Sequence, residues 1–142
     1  MQNVMRRILP ALLVFLAACS GGDAPPVVVA NVEVTPTRPG AGMSAGYLDI
    51  TNNSREPLVI THVTSPEFGK VELHETTVED GVARMRPLDS LVVPPGETVV
   101  LERGGKHLML MRPVDTPDAV TLSLYSGETL VVSVETPVRR EP

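Results

Sequence analysis

Residues 70–87 read KVELHETTVEDGVARMRP, and the pair at the centre of this stretch decides the fold. Asp80-Gly81 separates two β-type runs. Asp-Gly is what a two-residue type I′ turn demands, because both central residues need positive φ. With those two residues at the tip, Val78 faces Ala83 and Thr76 faces Met85. Side chains alternate between the faces of a strand, and directly opposed residues share a face. His74, Thr76 and Met85 therefore project from one side of a hairpin. His74 and Met85 become diagonal neighbours, ~7–8 Å apart at the backbone.

The flanking sequence repeats the pattern of short apolar runs cut by turn residues. Strands are expected at 27–35, 44–51, 58–64, 70–78, 82–87, 91–93, 98–102, 107–112, 119–125 and 129–135. Asn52-Asn53-Ser54, Pro94-Pro95-Gly96, Gly104-Gly105 and Ser126-Gly127-Glu128 punctuate them. A content of 11 Gly and 14 Pro in 142 residues argues against a helix bundle. The expected fold is all-β, a sandwich or barrel of about nine to ten short strands. Hydrophobic residues make up 42% of the chain but aromatics only 3%, so the core must be aliphatic. A net charge of −5 offers no basic patch for nucleic acid.

The N-terminus reads as an address. Residues 1–18 carry Arg6 and Arg7 ahead of an apolar run from Ile8 to Ala18, right for a signal sequence and short for a permanent span. Leu16-Ala17-Ala18-Cys19 resembles a bacterial lipobox, which implies cleavage before Cys19 and lipid on its sulfur. Residues 19–26 then form a lipidated cysteine and flexible tether, 27–136 the β domain, and 137–142 a frayed tail. Such a protein is anchored to the periplasmic side of a bacterial membrane rather than spanning it. Cys19 is the single cysteine, so the domain has no internal disulfide and no thiolate-rich metal site.

A second strand shows a face of the same chemistry. His107, Met109 and Met111 alternate with Leu108 and Leu110. The leucines belong to the core, which leaves the His/Met face to look outward or into a pocket. Thioether sulfur is soft and uncharged, so two His with two Met match Cu(I) better than Mg²⁺, Ca²⁺ or Zn²⁺. Methionine is also a common gap-filler in cores. Composition and periodicity alone leave a metal site and a packed core as alternatives.

The wider pattern His74-x10-Met85-x21-His107-x-Met109 resembles the signature of the PCu(A)C family of periplasmic copper chaperones. Matching words surround it: Ala45-Gly46-Tyr47-Leu48, Val71-Glu72-Leu73-His74-Glu75, Arg84-Met85-Arg86-Pro87-Leu88, Pro95-Gly96 and Gly105-Lys106-His107-Leu108-Met109-Leu110-Met111. The resemblance implies a cupredoxin-like Greek-key domain binding one Cu(I) at an exposed site through His74, Met85, His107 and Met109. It implies a monomer that delivers copper to cytochrome c oxidase assembly, at the CuA centre of subunit II, sometimes with a thiol-bearing partner chaperone. Three departures stand out. Thr76 occupies a position where many relatives carry Met. Residues 137–142 hold none of the His and Met that give some relatives a second site. Most relatives are soluble, whereas Cys19 implies a lipid anchor.

Rival readings fare worse. A blue-copper electron carrier needs a thiolate ligand that the domain lacks. A hydrolase would need a nucleophile motif, and neither G-x-S-x-G nor H-E-x-x-H occurs. A closed four-ligand site leaves no open position for catalysis, so the expectation is a carrier and not an enzyme. The remaining alternative is a lipid-anchored adhesion or scaffold module whose His and Met are incidental.

Overall fold

The computed structural model describes residues 24–38 and 40–138. The expected signal sequence and Cys19 lie outside them. The described residues form eleven strands: β1 Val27–Val34, β2 Met43–Asn52, β3 Leu58–Ile60, β4 His62–Thr64, β5 Phe68–Glu79, β6 Val82–Pro87, β7 Leu91–Val93, β8 Thr98–Leu101, β9 Lys106–Pro113, β10 Ala119–Ser126 and β11 Thr129–Pro137. No helix among them is long and apolar enough to cross a membrane. The fold is an all-β sandwich, in keeping with the strand-and-turn pattern of the sequence.

One sheet runs β1-β2-β9-β5-β6, with β8 also pairing β2. The others are β11-β10-β4 and β3-β7. Their facing sides form one core, aliphatic but for Phe68, with Leu48, Ile50, Leu73, Leu108 and Leu110 from the large sheet and Ile60, Val63, Leu91, Val93, Val120, Leu122 and Leu124 from the others. β2 carries the alternation that builds such a layer. Every second residue from Ser44 to Asn52 is buried and those between are not.

The strand count exceeds the nine or ten expected because 58–64 is two strands. Ile60 and Val63 are both buried, three residues apart, which a period of two forbids in one straight strand. The chain breaks at Thr61 and changes partners, β3 pairing β7 and β4 pairing β10. Thr61 holds the break. Its N–H donates to the Tyr125 carbonyl at 2.8 Å, and its hydroxyl accepts from the Gly127 N–H at 3.0 Å. Two end assignments are also corrected. β11 extends through Pro137, opposite Ala119, and Val138 bridges Val34, so the tail does not fray at 137. At the other end the tether is pinned where it reaches the domain, the Pro25 and Pro26 carbonyls accepting from the side chain and backbone of Asn53.

Two local devices position the site. The β5–β6 turn is the expected one, with φ of 53° at Asp80 and 77° at Gly81, and Thr76 pairs with Met85. Between β2 and β9, Gly46 permits a close approach. A Cβ there would lie 3.0 Å from a Leu110 methyl and 3.2 Å from the Leu108 Cβ. β2 pairs β9 over Met43–Gly46 and β8 over Leu48–Thr51, so the switch at Tyr47 brings the β8–β9 turn against the same face.

Candidate metal centre

β9 is an internal strand between β2 and β5, and its alternation sends Leu108 and Leu110 into the core. His107 and Met109 project from the other face. Across the β5–β9 ladder His107 is directly opposed to His74, and the two rings lie 5.9 Å apart, tilted by 50°.

Each imidazole has one nitrogen committed to the protein. His107 Nδ1 donates to the Gly105 carbonyl at 3.0 Å, which leaves Nε2 with its lone pair. The same carbonyl accepts from the Thr76 N–H at 3.0 Å, so the β8–β9 turn is tied to both strands. His74 Nε2 donates to Glu72 Oε2 at 2.9 Å, and its lone pair therefore sits on Nδ1. That Nδ1 is buried and has no hydrogen-bond partner. Glu72 also pairs with the Lys70 ammonium. That ammonium foremost, and then the His74 N–H, hold the Glu72 carboxyl below its ordinary 4.5. A carboxylate on the far nitrogen of an imidazole is the arrangement that orients metal-bound histidines.

The thioethers complete the face. Met85 and Met109, with His107 and Thr76, line an open cavity of about 760 Å³. Pro36, Arg38 and Ala41 of the β1–β2 loop form another wall, and Tyr47 lies at its side with the Arg103 guanidinium 5.0 Å over its ring. Arg103 is itself paired with Glu33 at 2.9 Å. The four sequence-derived candidates thus share one face, though at different depths. His107 is 7% exposed and the His74 side chain 11%, whereas Met85 is 51% exposed. Of these four residues Met85 alone is exposed and Met109 is half-buried, while the paired strands nearly cover the two imidazoles. His74 does not itself line the cavity and sits against His107. Met111 shares the face but stands beside Lys70 and Met43. His62 lies on β4, exposed and stacked on Tyr125 with ring centroids 4.7 Å apart, in a different sheet.

Two contributors escaped the sequence reading. Glu72 stands two residues from His74, so strand parity alone could have placed it on the ligand face. The Gly105 carbonyl left no sequence signal. Among the described residues no three of His, Cys, Asp and Glu converge as a metal cluster. His107, Met85 and Met109 line one cavity and His74 packs against His107, so this face offers imidazole nitrogen and thioether sulfur, a chemistry that fits a soft monovalent ion, and the buried Nδ1 of His74 has no protein partner.

The fold and this donor set define a cupredoxin-like domain carrying a paired-histidine, paired-methionine face. The chain belongs to the family described as "Putative lipoprotein LpqE-like", whose model matches residues 27–138. A curated relative from Leifsonia xyli subsp. xyli, "Putative lipoprotein Lxx21020", is 33% identical over 101 residues, or 67% of this chain. The match spans 61% of that relative's length. Among solved structures, apo-DR1885 from Deinococcus radiodurans is 27% identical with a TM-score of 0.60, over 99% of this chain and 97% of that one. Its Cu(I) form is 26% identical with a TM-score of 0.62, over 85% and 83%. The copper-bound PCuAC domain from PmoF2 superposes with a TM-score of 0.66 over 82% and 94%. At 18% identity that last likeness speaks for the fold alone.

Proposed function

We propose that this chain is an extracytoplasmic copper carrier that holds one Cu(I) through His74 Nδ1, His107 Nε2 and the sulfurs of Met85 and Met109. The observation that carries the reading is the facing His74–His107 pair, each ring fixed by its other nitrogen, with a buried unpartnered Nδ1. Support also comes from the fold shared with the Cu(I) form of DR1885 at 26% identity.

All four donors are neutral, so the bound ion keeps its single positive charge. A recipient bearing thiolates offers stronger, charged sulfur and can replace the thioethers one at a time, so copper need not pass through water. This is the chemistry of a carrier and not of an enzyme. The recipient that the family resemblance implies is the CuA centre of cytochrome c oxidase subunit II, reached directly or through a thiol-bearing chaperone. Membership of a lipoprotein family supports lipid on Cys19 and a place at the periplasmic face of a membrane. Cys19→Ala then frees the protein from membranes without changing copper affinity, which fractionation and titration together check.

Anaerobic titration of the purified chain with Cu(I) tests the reading, with copper-edge and sulfur-edge absorption identifying the ligands. One equivalent bound by two sulfur and two nitrogen donors, with weak Zn²⁺ binding, is expected. Tight Zn²⁺ binding at these residues with weak Cu(I) binding refutes it and returns the chain to a scaffold role.

A further inference from the structure

Four of the six methionines lie beyond residue 18, and the carrier site uses two of them. The other two, Met43 and Met111, are direct partners across the β2–β9 ladder. Ala45 is paired with Met109 in the same register, so Met43 is the diagonal neighbour of Met109. All three methionines stand on the face that carries His107. Core packing does not account for Met43. It is 45% exposed and lines the same cavity as Met85, Met109 and His107.

The geometry admits a shared ion. Opposed residues have Cβ atoms ~5 Å apart and diagonal ones ~7–8 Å. Methionine adds an unbranched, freely rotating arm to each. On the β5 side Lys70 is paired with Met111 and Glu72 with Met109, and these two charges neutralise one another in an ion pair.

We infer that Met43, Met109 and Met111 form a second Cu(I) position made of thioethers alone, beside the imidazole pair and sharing Met109 with it. The inference rests on the carrier reading above. Three neutral sulfurs suit a soft monovalent ion and give little to Zn²⁺ or Mg²⁺. Because Met109 belongs to both positions, they are occupied in turn. The outer one is a step by which copper enters or leaves, and the chain still carries a single ion.

The test compares the full chain in detergent micelles with its H74A/H107A variant. Each is titrated anaerobically with Cu(I), and with Ag(I) as a redox-inert probe, while the methionine methyl resonances are followed by NMR. The double variant is expected to bind one equivalent about tenfold more weakly than the wild type, so that roughly a tenth of the bound ion sits at the outer position in the wild-type chain. The Met43, Met109 and Met111 methyls should shift, and M43L/M111L on that background should abolish binding. In the wild-type chain, partial loading should move the Met43 and Met111 methyls as well as those of Met85 and Met109, a readout that does not depend on how the double variant folds. If wild-type loading shifts His74, His107, Met85 and Met109 but leaves Met43 and Met111 unmoved, the outer position is overturned and the carrier reading stands. Uptake of neither ion by the wild-type chain overturns both.

Discussion

His107 and Met85 face the same cavity from opposite structural circumstances. β9 has a hydrogen-bonded strand on each side, and its alternate residues Leu108 and Leu110 are locked in the core. β6 is the edge of the same sheet, paired only with β5, and all six of its residues are exposed. The imidazoles are therefore held by the sheet before any ion arrives, while the Met85 thioether rides on an arm with little to fix it. On the carrier reading proposed above, such a site would bind with its rigid half and exchange with its loose half. Incoming ligands should displace Met85 first.

The largest expected difference between the two regions is in stability. Leu110 is 0% exposed, so Leu110→Ala should cost about 3 kcal/mol, as a large-to-small change in a closed core does. Met85→Ala leaves no cavity and should change the stability of the copper-free protein by less than about 0.5 kcal/mol. Chemical denaturation of the two variants without metal measures both. A Met85→Ala loss that rivals Leu110→Ala would mean the hairpin arm is packed, and the comparison would fail.

Next comes affinity. Met109 follows His107 by two residues, ~6.5–7 Å along the strand, so both can reach one ion. Met111 is four residues from His107, ~13 Å away, too far to share an ion with it in an unbulged strand. The β5–β9 register has no shift across this span, from His74–His107 to Lys70–Met111. Met109→Ala should weaken Cu(I) binding at least tenfold, ~1.4 kcal/mol or more, and Met111→Ala by clearly less. Competition with a Cu(I) chelator reads both. The opposite ranking would move the site along β9 and detach it from the imidazole pair.

How far the sequence reached follows from the same contrast. The β5–β6 register was legible because Asp80-Gly81 is a local signal, and local turn chemistry fixes every pairing beside it. The outward face of β9 was legible from its period of two. What stayed hidden depends on partners far along the chain. Met43 meets Met111 across 68 positions, and no pattern near either residue announces the other. The break at Thr61 answers to two different sheets, although the buried pair Ile60 and Val63 is its trace. The depth of the imidazoles was hidden too, because it comes from the turn carrying Gly105, placed by the switch of β2 from β9 to β8.

The smallest predicted effect lies at Glu72, on the rigid side, and it asks whether that rigidity is electrostatic. Glu72 titrates below 4.5 because the Lys70 ammonium, and secondarily the His74 N–H, favour its charged form. A carboxyl depressed by folding contributes stability that is complete above its unfolded value and lost as pH falls through the folded one. The window is thus the acid side of 4.5, and the contribution is minor because the carboxylate is in contact with water. Without metal, Glu72→Gln should melt only slightly below the wild type near neutral pH, and the gap should close in acid. An NMR titration of the Glu72 carboxyl carbon should place its midpoint below 4.5, and Lys70→Met should raise that midpoint more than His74→Ala. A midpoint indifferent to Lys70→Met, or a gap that widens in acid, would show that the ion pair does not hold Glu72. His74 would then be oriented by its hydrogen bond to Glu72 without help from Lys70, as His107 is oriented by its bond to the Gly105 carbonyl.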